Sequence, residues 1–519
     1  FDDGVVATAP SAVNIAGTVD ATAGASTITL GDNDTAVAVT ADATVGGAAT
    51  GTIDMGDATL ADGATLTVGT GIGNAINLDA VSGTGGGTVS DLTINTTGAV
   101  AVAEAVGTDI GTVTITQSGG TTFTGTVGTN TLTLTDTTGA IQFDDNLTVN
   151  TGMTTANQTY NLTFNGTTNS IAGDTSFLNT GTVTIGNGAG DTTTFVGGVN
   201  TTGEASNPGT VNLAGTINTT NTQLDFGAVT LTADTVIDTG NAATGIVNVG
   251  AVTSGNNQLT LDSGSTAGAT IDLTSFVAGQ GGLIIRDAGG LATIGDVGST
   301  NTGTVTITDS TGGVTFSDNV DATTFTITDS AAGADITFAD GQDVDITTGF
   351  APAAGTAAYD IAINSSTFDA AGDTNFLNTG TVTIGNGAGD VTTFVGGVAT
   401  TGNANNPGTV NLAGTINTTD TQLDFGAVTL TADTVIDTGN AAAGILNVGA
   451  VTSGNNQLTL DSGSTAGATI GLTSFVAGQG GLIIRDAGGL ATIGDVGSTN
   501  TGTVTITDST GGVTFSDNV

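Results

Sequence analysis

Apolar and polar residues alternate along most of this chain. In "GTVTITDS" Val305 and Ile307 share one face, while Thr304, Thr306 and Thr308 share the other. The pattern recurs in "TFTITDS" (Phe325, Ile327), "TLTLTDT" (Leu132, Leu134), "AVTLTAD" (Val229, Leu231) and "NQLTLDS" (Leu259, Leu261). Period two carried by β-branched residues predicts half-buried strands. Clusters such as "GNGAGD", "DTGN", "SGNN" and "STGG" predict the turns between them. Strand centres recur about every 10–13 residues, and no convincing helix appears because alanine runs are short and broken by glycine.

A second regularity lies above the strands. "FLNTGTVTIGNGAGD" stands at residues 177–191 and again at 376–390. The match extends without a gap from 172–320 onto 371–519, an offset of 199 with nine substitutions in 149 positions. They include Thr192/Val391, Glu204/Asn403, Asn221/Asp420 and Asp272/Gly471. A repeat of this length decides how every local feature is read. It divides the chain into a diverged region at 1–171, a long unit at 172–370 and a partial second unit at 371–519. The diverged region is a faded copy, since "GTDIGTVTITQSGGTTFTG" at 107–125 matches residues 298–318, and the only tyrosines, Tyr160 and Tyr359, stand 199 apart.

Short, regular and numerous strands predict an all-β, elongated β-solenoid of the parallel β-helix kind. Its coils need a thin apolar interior, and glycine suits their tight corners. An inner repeat supports this reading: "GTVNL" at 209–213 returns as "GIVNV" at 245–249. One coil of about 36 residues or two of about 18 both fit that spacing. At about 4.8 Å per coil, and roughly 18–35 residues per coil, the expectation is a rod on the order of 70–140 Å. The alternative is a tandem array of β-sandwich modules; absent Trp and only four Pro count against it.

Composition narrows the function classes. Two arginines, Arg286 and Arg485, carry all the side-chain positive charge against 47 acidic residues, a formal charge of −45. Such a field repels phosphate backbones and anionic lipid, so neither nucleic acid nor a membrane surface is an expected partner, whereas divalent cations are attracted. A mean hydropathy of +0.24 and the alternating pattern argue against disorder. Without cysteine there are no disulfides and no thiolate chemistry. No stretch reaches the roughly 18 apolar residues of a membrane span. The chain opens "FDDGVV" without methionine and closes inside its own repeat pattern, so it reads as an interior piece of a longer protein.

The G-T-V-x-I and T-x-T-x-T strand texture, the lysine-free composition and the long near-identical repeats resemble large bacterial surface proteins. The closest group is the β-strand-repeat and filamentous-haemagglutinin-like adhesins; solenoid S-layer proteins share the texture. The resemblance covers essentially the whole chain but is one of composition and pattern. It implies an extracellular, cell-surface location and an adhesive or filament-forming role, and it supplies no binding site.

Candidate chemistry is sparse. With no His, Cys or Lys, acid–base groups reduce to carboxylates, hydroxyls and tyrosine. The Asp residues are scattered along turns and Glu204 becomes Asn403 in the copy, so no enzyme is expected. Calcium, with six to eight oxygen ligands, is the cofactor to consider. "GDNDT" offers Asp32 and Asp34, "FDDN" offers Asp144 and Asp145, and "ADGQDVD" offers Asp340, Asp343 and Asp345. Asx-turns are the plainer reading of the same residues. The toxin-type nonapeptide G-G-x-G-x-D-x-U-x fails against "GNGAGDTTT" at 186–194. Arg286 and Arg485, each followed by Asp in "LIIRDAGG", predict local ion pairs on a solvated face. The expected role is therefore a self-associating segment of a surface filament, sheath or S-layer. The alternative is an adhesin stalk or adhesive repeat that engages cell-surface glycans or neighbouring cells.

Overall fold

The computed structural model describes residues 1–32, 34–497 and 502–519, without the side chains of Ala278, 299–302 and Ala477. The chain divides into two compact units, residues 1–240 with 244–250 and residues 241–243 with 251–519. In the first unit each turn lays down three short strand segments, and each pairs in parallel with its successor one turn later. Ile53–Met55, Ala58–Leu60 and Thr65–Val68 pair with Ile76–Leu78, Val81–Gly83 and Ser90–Asn95. These pair in turn with Val100–Val102, Val106–Gly107 and Ile110–Ser118. The second unit repeats the scheme: Val314–Phe316 and both halves of Val320–Ile327 pair with Asp335–Phe338 and both halves of Asp343–Pro352.

Each unit is thus a three-sided parallel β-solenoid. Sandwich modules, whose sheets are antiparallel, are excluded. The isolated antiparallel bridge from Asp32 to Thr35 merely closes a turn. Turn lengths vary because corners absorb extra residues. Partners one turn apart are separated by 20 residues at Thr121 and Ile141, by 23 at Ile53 and Ile76, and by 28 at Val183 and Val211. Glycine permits the sharpest of these corners. Gly186 and Gly385 adopt φ of +77° and +73°, and a Cβ on either would lie 2.3 Å from a carbonyl oxygen of the next coil.

Alternation explains the interior. The threonines of each T-x-T strand face out, while the alternate residues Val113 and Leu132, and Ile115 and Leu134, meet as partners inside, fully buried. Aromatic rings form ladders in register. Phe123, Phe143 and Phe164 occupy successive rungs with centroids 5.0 and 5.7 Å apart and planes within 5°. Phe316 and Phe338 do the same in the second unit at 5.4 Å. Each such pair adds about 0.5–1.5 kcal/mol beyond the burial of its area.

The sequence repeat and the turn have different periods. Within the second unit, residues 251–320 and 450–519 are identical except at Asp272/Gly471. From Ile271 the in-register partners run through Ala292, Val314, Ile336, Ile361, Val382 and Val410. They continue through residues 428–430 to Val451 and Phe475. Ile470, the counterpart of Ile271, is not in that column; it stands on the adjacent side, paired with Leu446. Eight turns carry Ile271 to Val451 and nine to Phe475, so the 199-residue offset spans eight and two-thirds turns. Identical segments therefore lie a third of a turn apart around the coil. The inner repeat behaves likewise. Val410 of "GTVNL" belongs to the column of Val451, whereas Leu446 of "GILNV", 36 residues on, pairs with Leu423 and Ile470. That spacing is one and two-thirds turns, neither one nor two.

Candidate functional site

The seven predicted calcium ligands occupy three separate places. Asp32 and Asp34 come together in a turn, where the Asp34 N–H donates to Asp32 Oδ1 at 3.0 Å. Asp144 and Asp145 diverge: Asp144 Oδ1 accepts from Gln142 and, at 3.0 Å, from Asn165 Nδ2, while Asp145 Oδ1 accepts the Asn146 N–H at 2.7 Å. In the third place the Asp340 carbonyl accepts from Gln342 Nε2 at 3.5 Å, and Asp343 Oδ1 accepts from Thr367 Oγ1 at 2.6 Å. Most of these contacts are the local, turn-forming bonds that Asx residues make. Among the described residues, no three carboxylates converge in an arrangement that could hold a metal ion.

Asp345 has a different setting. Register places it between Asp321 one turn before and Asp369 one turn after. The row stacks three carboxyls at roughly the 4.8 Å strand spacing. Partial desolvation in the row, then the charges of Asp321 and Asp369, push the Asp345 carboxyl above its ordinary value. Asp296 is raised by burial and by Asp318, and Asp79 by burial and by Asp57.

A further carboxylate group surrounds the arginine. Asp262 pairs in register with Asp287, and Arg286 Nε contacts Asp262 Oδ2. Arg485 and Asp461 repeat the ion pair at 3.5 Å. Oδ1 of Asp287 and Oδ1 of Asp486 are buried and make no hydrogen bond. Burial, reinforced by Asp309 and Asp262, pushes the Asp287 carboxyl up to about 6, against the opposing pull of the Ala288 N–H and Arg286.

The duplicated stretch 177–191 has a structural explanation. Asp191, buried at the end of "GNGAGD", accepts the N–H groups of Asn187 and Gly188 on Oδ2 at 2.8 and 2.9 Å. Asp390 accepts those of Asn386 and Gly387 at the same two distances. Its neighbour in the motif, Asn179, is fully buried and donates to the Tyr160 carbonyl at 3.0 Å; Asn378 does so to Tyr359 at 3.1 Å. These side chains close the two corners that flank Thr182–Ile185 by satisfying backbone groups that the turns leave unpaired. Sequence reasoning placed this Asp in a predicted turn and said nothing of its burial. Only the register, which brings Tyr160 against Asn179, could have revealed the burial.

Among the described residues no helix is long and apolar enough to cross a membrane. Compared with protein-family models, with curated proteins and with solved structures, the chain has no significant match.

Proposed function

We propose that this chain is an extracellular structural repeat protein of a bacterial surface, a segment of a self-assembling filament, sheath or S-layer. The observation that carries the reading is the phase of the repeat. Two 70-residue segments that differ at one position (251–320 and 450–519) occupy different sides of the same coil with the same pairing. A protein that presented one active surface would gain from keeping it in phase; a protein whose role is to extend a coil has no such need. Each turn pairs only with its neighbours, so length can be added by duplication without redesign. A phase advance also offers each repeated surface in a new direction, which suits contacts on several sides. The adhesive alternative has its own support in a trough of the second unit whose lining carries no charged side chain.

Sedimentation of the purified chain over a concentration series, in low and in physiological salt, tests self-assembly. The expected result is mass increasing with concentration, and more so in salt that screens the −45 charge. A monomer at every concentration and salt would overturn the proposal.

A further inference from the structure

The single substitution between residues 251–320 and 450–519 changes the surface. Where the first segment carries Asp272, the second carries Gly471. Gly471 lies in a trough of about 590 Å3 at a corner of the second unit. At this corner Leu446–Gly454, Ile470–Ala477 and Ala491–Val496 each pass from one side to the next as unbroken strands. These three turns carry no loop at the bend, while Thr401, at one end of the trough, belongs to the loop between Val398–Ala399 and Thr409–Thr418. Its floor is backbone: a Cβ on Gly494 would lie 1.9 Å from the Thr473 carbonyl oxygen, and one on Gly449 2.7 Å from Gly426. Polar groups along it are hydroxyls and an amide, from Thr401, Asn447, Thr473, Thr492 and Ser516, and Asn447 Nδ2 donates to Asp424 Oδ1 beside the trough at 2.7 Å. The lining contains no carboxylate, in a chain with 47 acidic residues.

The trough follows the coil axis. Its lining runs from Thr401 through Gly426, Gly449, Gly471 and Gly494 to Ser516, six successive turns or about 24 Å at the strand spacing. An occupant must therefore be linear. Anions are repelled by the surrounding charge, and a cation would meet a single flanking carboxylate, Asp424, which already accepts from Asn447 Nδ2 and Gln422 Nε2. An extended peptide binds such folds by joining a sheet edge. Here the strands beneath are already paired on both sides, as Asn447 with Asp424 and Gly471 shows. A polymer that brings its own hydroxyl donors and acceptors needs no edge, because single Thr and Asn side chains can meet it one by one. We infer that this trough binds a neutral oligosaccharide strand lying along the axis, and that Gly471 is what opens it.

At the equivalent position the first copy carries Asp272, exposed to solvent. A Cβ at residue 471 would lie 3.1 Å from Asn447 Oδ1 and 3.9 Å from the Leu446 carbonyl oxygen, and the backbone there has no positive φ, so Gly471→Asp asks only a small shift of the Asn447 side chain. It would fill the middle of the trough and place a charge there. The experiment is calorimetric titration of the full chain with cellohexaose, maltohexaose and chitohexaose, in wild type, Gly471→Asp and Thr492→Ala, with circular dichroism to verify folding. Saturable binding of at least one hexasaccharide is expected, weakened at least tenfold by Gly471→Asp and less by Thr492→Ala. Binding that Gly471→Asp leaves unchanged would overturn the assignment. So would no saturable binding of any of the three sugars, or binding of a Ser-Gly dodecapeptide in their place. Self-assembly does not depend on this site, so sugar binding can fail while assembly stands, and the reverse.

Discussion

Residues 251–320 and 450–519 form an internal experiment: nearly one sequence, placed on two different sides of the same solenoid. In both, the strand positions Leu259/Leu458, Leu261/Leu460, Ile271/Ile470, Leu273/Leu472 and Ile285/Ile484 are buried, Leu291 and Leu490 are alike exposed, and the arginine salt-bridges to an aspartate one turn earlier. Pairing is copied rung for rung, with Ile271 on Ala292 and Ile470 on Ala491. The side of the coil on which a segment lies thus has no influence on how it folds. Local alternation and the adjacent turns decide it, as expected for an architecture whose stability is a sum over neighbours. What differs between the two regions is their exterior, where Asp272 faces solvent and Gly471 opens a trough.

The largest expected effect comes from breaking the shared core. Phe276 and Phe475 are equivalent and fully buried. Phe276→Ala and Phe475→Ala should each cost about 3–5 kcal/mol locally. Amide hydrogen exchange over the adjoining turns would measure it. Equal losses support the independence of side; a loss confined to one copy would contradict it.

Next come the corner carboxylates. Removing Asp191 leaves the Asn187 and Gly188 N–H groups without their acceptor, and Asp390 holds the same place in the copy. Asp191→Ala and Asp390→Ala should each cost about 1–3 kcal/mol, read as faster exchange of those amides.

Acid should act in an unusual direction on the carboxylates beside Arg286. The folded-state value of Asp287 is raised to about 6, so the folded chain binds this proton more tightly than the unfolded one. The associated stability is fully present below the unfolded value, near 4, and is lost as pH rises through about 6. Thermal unfolding followed between pH 7 and pH 4 should show this increment, and Asp287→Asn should remove it. A profile that the substitution leaves unchanged would refute the assignment.

The smallest effect is expected at the ion pairs. Both arginines are over two-fifths exposed. Arg286→Ala and Arg485→Ala should change stability by less than about 1 kcal/mol, and less still in high salt.

Much of this molecule was legible in the chain. The strands at Val305 and Ile307, at Leu132 and Leu134, and at Leu259 and Leu261 follow from alternation, because a side chain on a strand has only two directions. The solenoid follows from their number and spacing. The phase of the repeat was not legible. It depends on how many residues each corner absorbs, and a 199-residue period gives no hint that it contains a fractional number of turns. The stacking of Asp321, Asp345 and Asp369 was hidden for the same reason, since only register reveals which turns meet. The Asp272/Gly471 difference was visible as letters, but the trough that Gly471 lines depends on three strands that cross the corner unbroken, which spacing alone does not reveal.

Electron microscopy of the purified chain, in calcium and in chelator, tests the central claim of a self-assembling structural segment most directly. The account predicts ordered filaments or sheets, with loss of order in chelator if calcium sits at the contacts. Separate, unassociated particles in both conditions would contradict it.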